Sequence, residues 1–189
     1  MILVVDHYDS FTYNLVQLIE SLGATTEVVK SDAEPAEALV AREPAAVVLS
    51  PGPGRPEDAG CFTELLRILP EATPVLGVCL GHQAIALACG STVERTWPVH
   101  GKVASIRHDG SGLFGGLPSP FAATRYHSLA VPCPRPPLVA NAWSEDGTVM
   151  AMRHDRAPAH GIQFHPESVA SEQGKAILSK FLALSHTPA

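Results

Sequence analysis

Pro74-Val75-Leu76-Gly77-Val78-Cys79-Leu80-Gly81-His82-Gln83-Ala84-Ile85-Ala86 is a short apolar run that passes directly into a longer one. Val75 to Val78 predicts a buried strand. The residues from Leu80 through Ala88 are apolar on most faces and predict a buried helix closed by Gly90. Cys79 falls at the junction. Gly77-x-Cys79-x-Gly81 has the spacing of a nucleophile elbow, with cysteine in place of serine. Such a turn holds its central residue in a strained backbone conformation. Side chains two residues either side would collide, so glycine is expected at both places. The turn also sets the sulfur at a helix N-terminus, where unpaired N–H groups and the macrodipole favour a thiolate. The Leu80 N–H then points at any oxyanion formed beside the sulfur. The competing reading is a free thiol that merely fills the core. A core cysteine, however, needs neither the two glycines nor the strand-to-helix setting.

Upstream of this stretch, strand and helix signals alternate. Ile2 to Val5 is a branched apolar run ending in Asp6, a buried parallel strand rather than a signal peptide, since no basic region precedes it. Leu15, Leu18, Ile19 and Leu22 give an amphipathic helix ended by Gly23. Thr25–Val29 reads as a strand, Asp32–Arg42 as a weaker helix with Pro35 in its first turn, and Ala45–Leu49 as a third strand. Phe62, Leu65, Leu66 and Leu69 mark another helix before the Val75–Val78 strand. This alternation predicts an α/β fold, a doubly wound and mostly parallel sheet with its active site at the carboxyl ends of the strands. Past Gly90 the texture changes to short strands between turns: Val93–Arg95, Lys102–Arg107, Phe121–Val131, Leu138–Trp143, Val149–Arg153 and His160–Phe164. These predict antiparallel additions and at most a small accessory sheet. A closing helix carries Ile177, Phe181 and Leu184. Residues 1–189 are expected to form one domain.

Composition narrows the function. Of 189 residues 46% are hydrophobic and 17% charged, which suits a buried sheet; the net charge of −6 argues against nucleic acid and against an anionic membrane. Cys61, Cys79, Cys89 and Cys133 lie far apart with no CxxC pair. They fit neither a zinc site nor a disulfide framework and point to a reducing, cytoplasmic setting. No apolar run approaches membrane length. No cofactor is expected, and the absence of a P-loop argues against an ATP-using step.

A thiol nucleophile needs a base. His82 sits on the same helix as Cys79, one turn away, and cannot readily reach across the sulfur. His154 and His186 lie in polar or terminal surroundings. His165 ends the run Gly161-Ile162-Gln163-Phe164 and is followed by Pro166-Glu167. Proline stops the strand there, and Glu167 can fold back to hold the imidazole in one tautomer. The alternative is a satisfied structural histidine. Ser50-Pro51-Gly52-Pro53-Gly54-Arg55-Pro56 follows the third strand and is stiff yet open to backbone approach. The Gly54 N–H is a candidate second oxyanion donor, and an ordinary rigid turn is the competing reading. Gln83 and the loop Tyr126-His127-Ser128-Leu129 are candidates for holding a polar substrate.

Taken together, Asp9-Ser10-Phe11-Thr12-Tyr13-Asn14-Leu15, Ser50 to Pro56, Gly77 to Gln83, Tyr126 to Leu129 and His165-Pro166-Glu167-Ser168 resemble the class I (triad) glutamine amidotransferases. The likeness runs from Met1 to about Leu184. The first block and His100-Gly101-Lys102 resemble the narrower branch of glutaminase components that serve anthranilate synthase or 4-amino-4-deoxychorismate synthase. The resemblance implies that Cys79 attacks the carboxamide of L-glutamine and that His165, oriented by Glu167, moves the protons. A γ-glutamyl thioester would be stabilised by the N–H groups of Gly54 and Leu80. Glutamine would be held by Gly52, Pro53, Gly54, Gln83, and the backbone of Ser128 and Leu129. Ammonia would pass to a chorismate-binding synthase subunit, with Ser10, Tyr126, His100, Gly101 and Lys102 nearest that partner. His7 stands where the family usually has Asn, Val99 where Met is usual, and Cys89 replaces a bulkier residue. Two other readings stay open: a stand-alone Cys-dependent γ-glutamyl hydrolase, and a silent module that only stabilises a partner.

Overall fold

Ile2, Leu3, Val4 and Val5 are each at most 3% exposed in the computed structural model, which describes residues 1–99 and 101–185. A strand that is apolar at every position has to be covered on both faces, and this sets the layering. Strand β1 (Ile2–Asp6) sends Ile2 and Val4 into one core and Leu3 and Val5 into the other. Strand β3 (Ala46–Leu49) repeats the pattern, with Ala46 and Val48 on the first side and Val47 and Leu49 on the second. Helices α1 (Thr12–Glu20) and α5 (Gly174–Leu184) close the first core. Helices α2 (Ala36–Val40), α3 (Phe62–Ile68) and α4 (Leu80–Ala88) close the second.

The remaining strands are β2 (Thr26–Lys30), β4 (Val75–Val78), β5 (Glu94–Arg95), β6 (Lys102–His108), β7 (Phe121–Arg125), β8 (Leu129–Ala130), β9 (Leu138–Ser144), β10 (Val149–His154) and β11 (Ala159–Ile162). One sheet runs in the order β2-β1-β3-β4-β11-β10-β9-β6-β7. From β2 to β11 every neighbour is parallel; from β11 to β7 every neighbour is antiparallel. The expected doubly wound sheet is present, and the small antiparallel sheet is the pair β5–β8. Three details differ from the sequence reading. The last strand is parallel to β4, antiparallel only to β10, so it completes the parallel half. Phe121–Val131 is two strands in different sheets, broken by the loop Tyr126-His127-Ser128. Helix α2 starts only after Pro35, whose extended backbone (ψ 152°) caps it; the residue before a proline is pushed away from helical angles. Arg42 then ties the turn to β2 by ion pairs to Glu34 and Glu27.

The order β1-β3-β4-β11 positions the site. These four adjacent parallel strands end side by side and release the loop 7–11, the loop 50–56, Cys79 and the segment 163–167 at the same edge, where ligands bind in open α/β sheets.

Candidate active site

Cys79 has φ +51° and ψ −96°, a conformation that an L residue rarely adopts. Its N–H continues the β4–β11 ladder by donating to Ile162 O at 2.8 Å, and its carbonyl accepts the N–H of Gln83 at 3.2 Å. The residue is thus clamped as the last of the strand and the cap of the helix. The flanking glycines are sterically required. A Cβ on Gly77 would lie 2.3 Å from the backbone of Gly81, and one on Gly81 would lie 2.4 Å from Leu49 O in β3. The elbow predicted from spacing is therefore present, and the second glycine lets α4 lie close on the neighbouring strand.

A cleft of about 150 Å³ opens beside the sulfur. Its lining brings together Gly52, Pro53 and Gly54 from the β3 loop, Cys79, Leu80 and Gln83 from the elbow, and Tyr126 to Leu129. Every residue assigned to glutamine binding from the sequence lies on this wall. Leu80 is the first residue of α4, so its N–H has no partner within the helix. Gly54, at φ +80°, presents backbone without a side chain. Gly52 is held tight: a Cβ there would meet His7 O at 2.6 Å. His7, one of the departures from the family pattern, braces this loop. Its N–H donates to Ser50 Oγ at 2.9 Å, while its ring bonds Ser31 Oγ at 2.7 Å. The carbonyls of Ser128 and Leu129 are already engaged, the first by Thr96 N–H and the second by His127 and Gln83.

His165 lies beyond the end of β11 and is 3% exposed. Its backbone is pinned to β7: its N–H donates to Thr124 O at 3.0 Å, and Ser171 Oγ donates to its carbonyl at 2.6 Å. Helix α5 begins against the same turn, where a Cβ on Gly174 would overlap Pro166 O. Glu167 folds back as expected and meets His165 Nδ1 at 2.6 Å, its side chain only 3% exposed. Burial works against a charged ring, but the Cys79 sulfur and the Glu167 carboxylate outweigh it. Together they raise the pKa of His165 to about 10. His165 Nε2 is buried and makes no hydrogen bond within the described residues, which leaves it available on the side that feels the sulfur.

The other histidines separate from this pair. His82 is fully buried, its ring against Gly161 of β11, where a Cβ would come within 2.7 Å of Nδ1. Burial lowers its pKa to about 4, so the ring is neutral. His154 accepts the N–H groups of Arg156 and Ala157 in a turn at the far end of β10. His100 and His186 lie outside the described residues. At the rim, Phe11 stacks on Tyr126 with ring centroids 5.8 Å apart, and both rings stand edge-on to His165, at 6.3 and 5.1 Å. Ser10, Gly101, Lys102 and Tyr126 are not buried, and Gly101 packs under the Tyr126 ring.

Two polar residues at the site were not singled out from the sequence. Gln163 is fully buried and its Nε2 lies 3.5 Å from Cys79 Sγ. Arg125 is 5% exposed and bonds His127. The only sequence signal for Gln163 is a polar side chain inside the apolar run before His165. Among the described residues no group of three or more His, Cys, Asp or Glu side chains is placed to hold a metal ion, and no helix is long and apolar enough to cross a membrane.

The family profile described as glutamine amidotransferase class-I matches residues 3–184. Anthranilate synthase component 2 of Thermus thermophilus is 52% identical over 186 residues, a match covering 96% of this chain and 91% of that one. Aminodeoxychorismate synthase component 2 of Escherichia coli is 46% identical over 185 residues, covering 96% and 99%. A solved protein of Thermoplasma acidophilum, provisionally assigned to GMP synthase, superposes with a TM-score of 0.88 at 25% identity, covering 97% of this chain and 92% of the other.

Proposed function

Since the chain belongs to the class-I glutamine amidotransferase family, we propose that it hydrolyses L-glutamine at Cys79 and supplies the ammonia to a chorismate-binding synthase subunit. The observation that carries this reading is the strained cysteine at the elbow, in one cluster with the buried His165–Glu167 pair.

The chemistry follows from the charges. Cys79 attacks the carboxamide carbon as its anion, and the carbonyl oxygen takes up negative charge beside the Leu80 and Gly54 N–H groups. The C–N bond breaks as His165, held protonated by its neighbours, gives its Nε2 proton to the departing ammonia. A γ-glutamyl thioester and a neutral imidazole remain. The imidazole then takes a proton from water, the hydroxide attacks the thioester, and glutamate leaves as the sulfur anion returns. Glu167 keeps Nδ1 protonated, so Nε2 is the nitrogen that exchanges protons. Gln83 has its amide nitrogen committed to Leu129 O and Gln163 Oε1, both at 3.1 Å, and so offers its carbonyl oxygen to the substrate. Phe11, Tyr126 and the strand beginning at Lys102 form the rim where the synthase subunit would dock. The Thermus thermophilus and Escherichia coli relatives are both component 2 proteins of such synthases.

Covalent trapping tests the reading. A glutamine-shaped electrophile should modify one residue, Cys79, and free glutamine should protect it. An adduct on another cysteine, or none while glutamine is still consumed, would refute the assignment.

A further inference from the structure

We propose that Gln163 donates a hydrogen bond to the Cys79 sulfur and is locked in that donor orientation by a one-way chain of hydrogen bonds that begins at Arg125. The inference rests on Cys79 being the nucleophile.

The chain can be followed atom by atom. Arg125 Nη1 pairs with Asp146 Oδ2 at 3.0 Å, and Arg125 Nε donates to His127 Nε2 at 3.1 Å. A guanidinium only donates, so His127 Nε2 must be the accepting nitrogen and the proton must sit on Nδ1. Nδ1 then donates to Leu129 O at 2.9 Å. Leu129 O, an acceptor only, also takes Gln83 Nε2 at 3.1 Å. This fixes which way round the Gln83 amide lies. The same Nε2 donates to Gln163 Oε1 at 3.1 Å. Gln163 therefore turns its remaining end, Nε2, to Cys79 Sγ at 3.5 Å. Each step leaves one choice. Reversing the Gln163 amide would face NH₂ to NH₂; reversing Gln83 as well would face its oxygen to that of Leu129.

Burial makes these choices costly to violate. Arg125, His127, Gln83, Gln163 and Cys79 are all between 0% and 7% exposed. A mismatched pair there forfeits a bond and strands a desolvated group. The sulfur thus receives a fixed N–H from the side of the strand ends, while His165 acts on it separately. A donor aimed at the sulfur favours its anion, so the chain supports the reactive form before substrate arrives. The chain also runs through Leu129, which lines the cleft, so the cleft wall and the sulfur are set by one network.

The test uses the whole chain and iodoacetamide, a small reagent that alkylates the sulfur anion and so reads its reactivity without glutamine turnover. Second-order rates of Cys79 alkylation are followed against pH in the wild type, Gln163→Met and Gln163→Glu. Met keeps the volume and removes every polar contact. Glu keeps the shape and can still accept from Gln83, but above neutral pH it has no proton for the sulfur. The expected result is a loss of about tenfold at neutral pH in both variants, with the acidic limb of the profile moved to higher pH. Glu should be at least as slow as Met. The carboxylate introduced by Gln163→Glu also repels the sulfur anion by its own charge, so the deciding variant is Gln163→Met: if its profile coincides with that of the wild type, Gln163 is not a donor to the sulfur, and the proposal falls. An unshifted profile in both variants overturns it equally. Failure of the wild-type Cys79 to alkylate would instead strike the nucleophile assignment itself and take this inference with it. The chain makes a second, separate demand. Asp146→Asn, on an exposed turn, should slow alkylation in the wild type and add nothing in Gln163→Met; equal losses in both backgrounds would contradict the linkage.

Discussion

His165 and His82 are both buried imidazoles, yet their surroundings drive them apart. Glu167 and the Cys79 sulfur keep His165 protonated, while His82 is neutral against Gly161. His165→Ala should therefore abolish glutamine hydrolysis. His82→Ala should leave measurable turnover and show its cost mainly in stability, a loss of about 2 kcal/mol for a buried ring truncated to a cavity. Steady-state kinetics together with denaturant unfolding separates the two, and equal losses of turnover would mean the wrong base was chosen. The raised pKa also has a sign. The protonated His165 ring contributes stability fully below about 6.5, the ordinary value, and that contribution is lost as pH rises through about 10. Glu167→Gln removes one of the groups holding the proton, so the imidazole should titrate closer to neutral pH by NMR. An unmoved titration would show that Glu167 does not hold it. Cys79, His165 and Glu167 were legible because each sits in a short local pattern whose chemistry is visible in neighbouring residues. Gln163 was not, because its significance lies in a sulfur 84 positions away.

The strand-to-helix element at 75–88 carries the fold and the site together, and its glycines are where it is least tolerant. Gly77→Ala should cost about 3 kcal/mol, since its Cβ would lie 2.3 Å from backbone atoms that cannot step aside. Gly115→Ala is the matched control: its Cβ would be no closer than 3.7 Å to other atoms, so the change should stay within roughly 0.5 kcal/mol. Urea unfolding reads both, and a tolerated Gly77→Ala would contradict the tight elbow. The parallel half of the sheet was readable because strands covered on both faces are apolar throughout, as in Ile2 to Val5. The direction of β11 was not. Ala159–Ile162 carries no mark of whether it runs with β4 or against it, and its placement depends on pairing with a strand distant in sequence. The break of Phe121–Val131 was equally hidden, since Arg125 and His127 turn inward as buried polar residues where alternation alone predicts a continuing strand.

At the scale of the whole molecule, burial leaves three histidines neutral among the described residues. His82, His127 and His160 each have a pKa lowered to about 4, with desolvation the largest cause. The unfolded chain protonates them near 6.5, so it binds more protons than the fold between those values. Stability should drop as pH falls from about 6.5 to about 4 and owe nothing further to them below that. Melting temperature against pH should show this slope, and a flat profile would mean the rings are hydrated. The carboxylates of Asp6 and Asp146, whose desolvation is outweighed by hydrogen bonds and cationic partners that hold them below the ordinary range, add a further loss at lower pH. The molecule is also expected to work as half of an assembly, with the elbow facing glutamine and the Phe11–Tyr126 rim facing the partner. The most direct measurement pairs Cys79→Ser with a chorismate-using synthase subunit and compares glutamine with ammonium as nitrogen source. Product formation from glutamine should disappear and that from ammonium should persist at the wild-type rate. Undiminished synthesis from glutamine would contradict the role of Cys79, and loss of both reactions would contradict the division of labour between the two subunits.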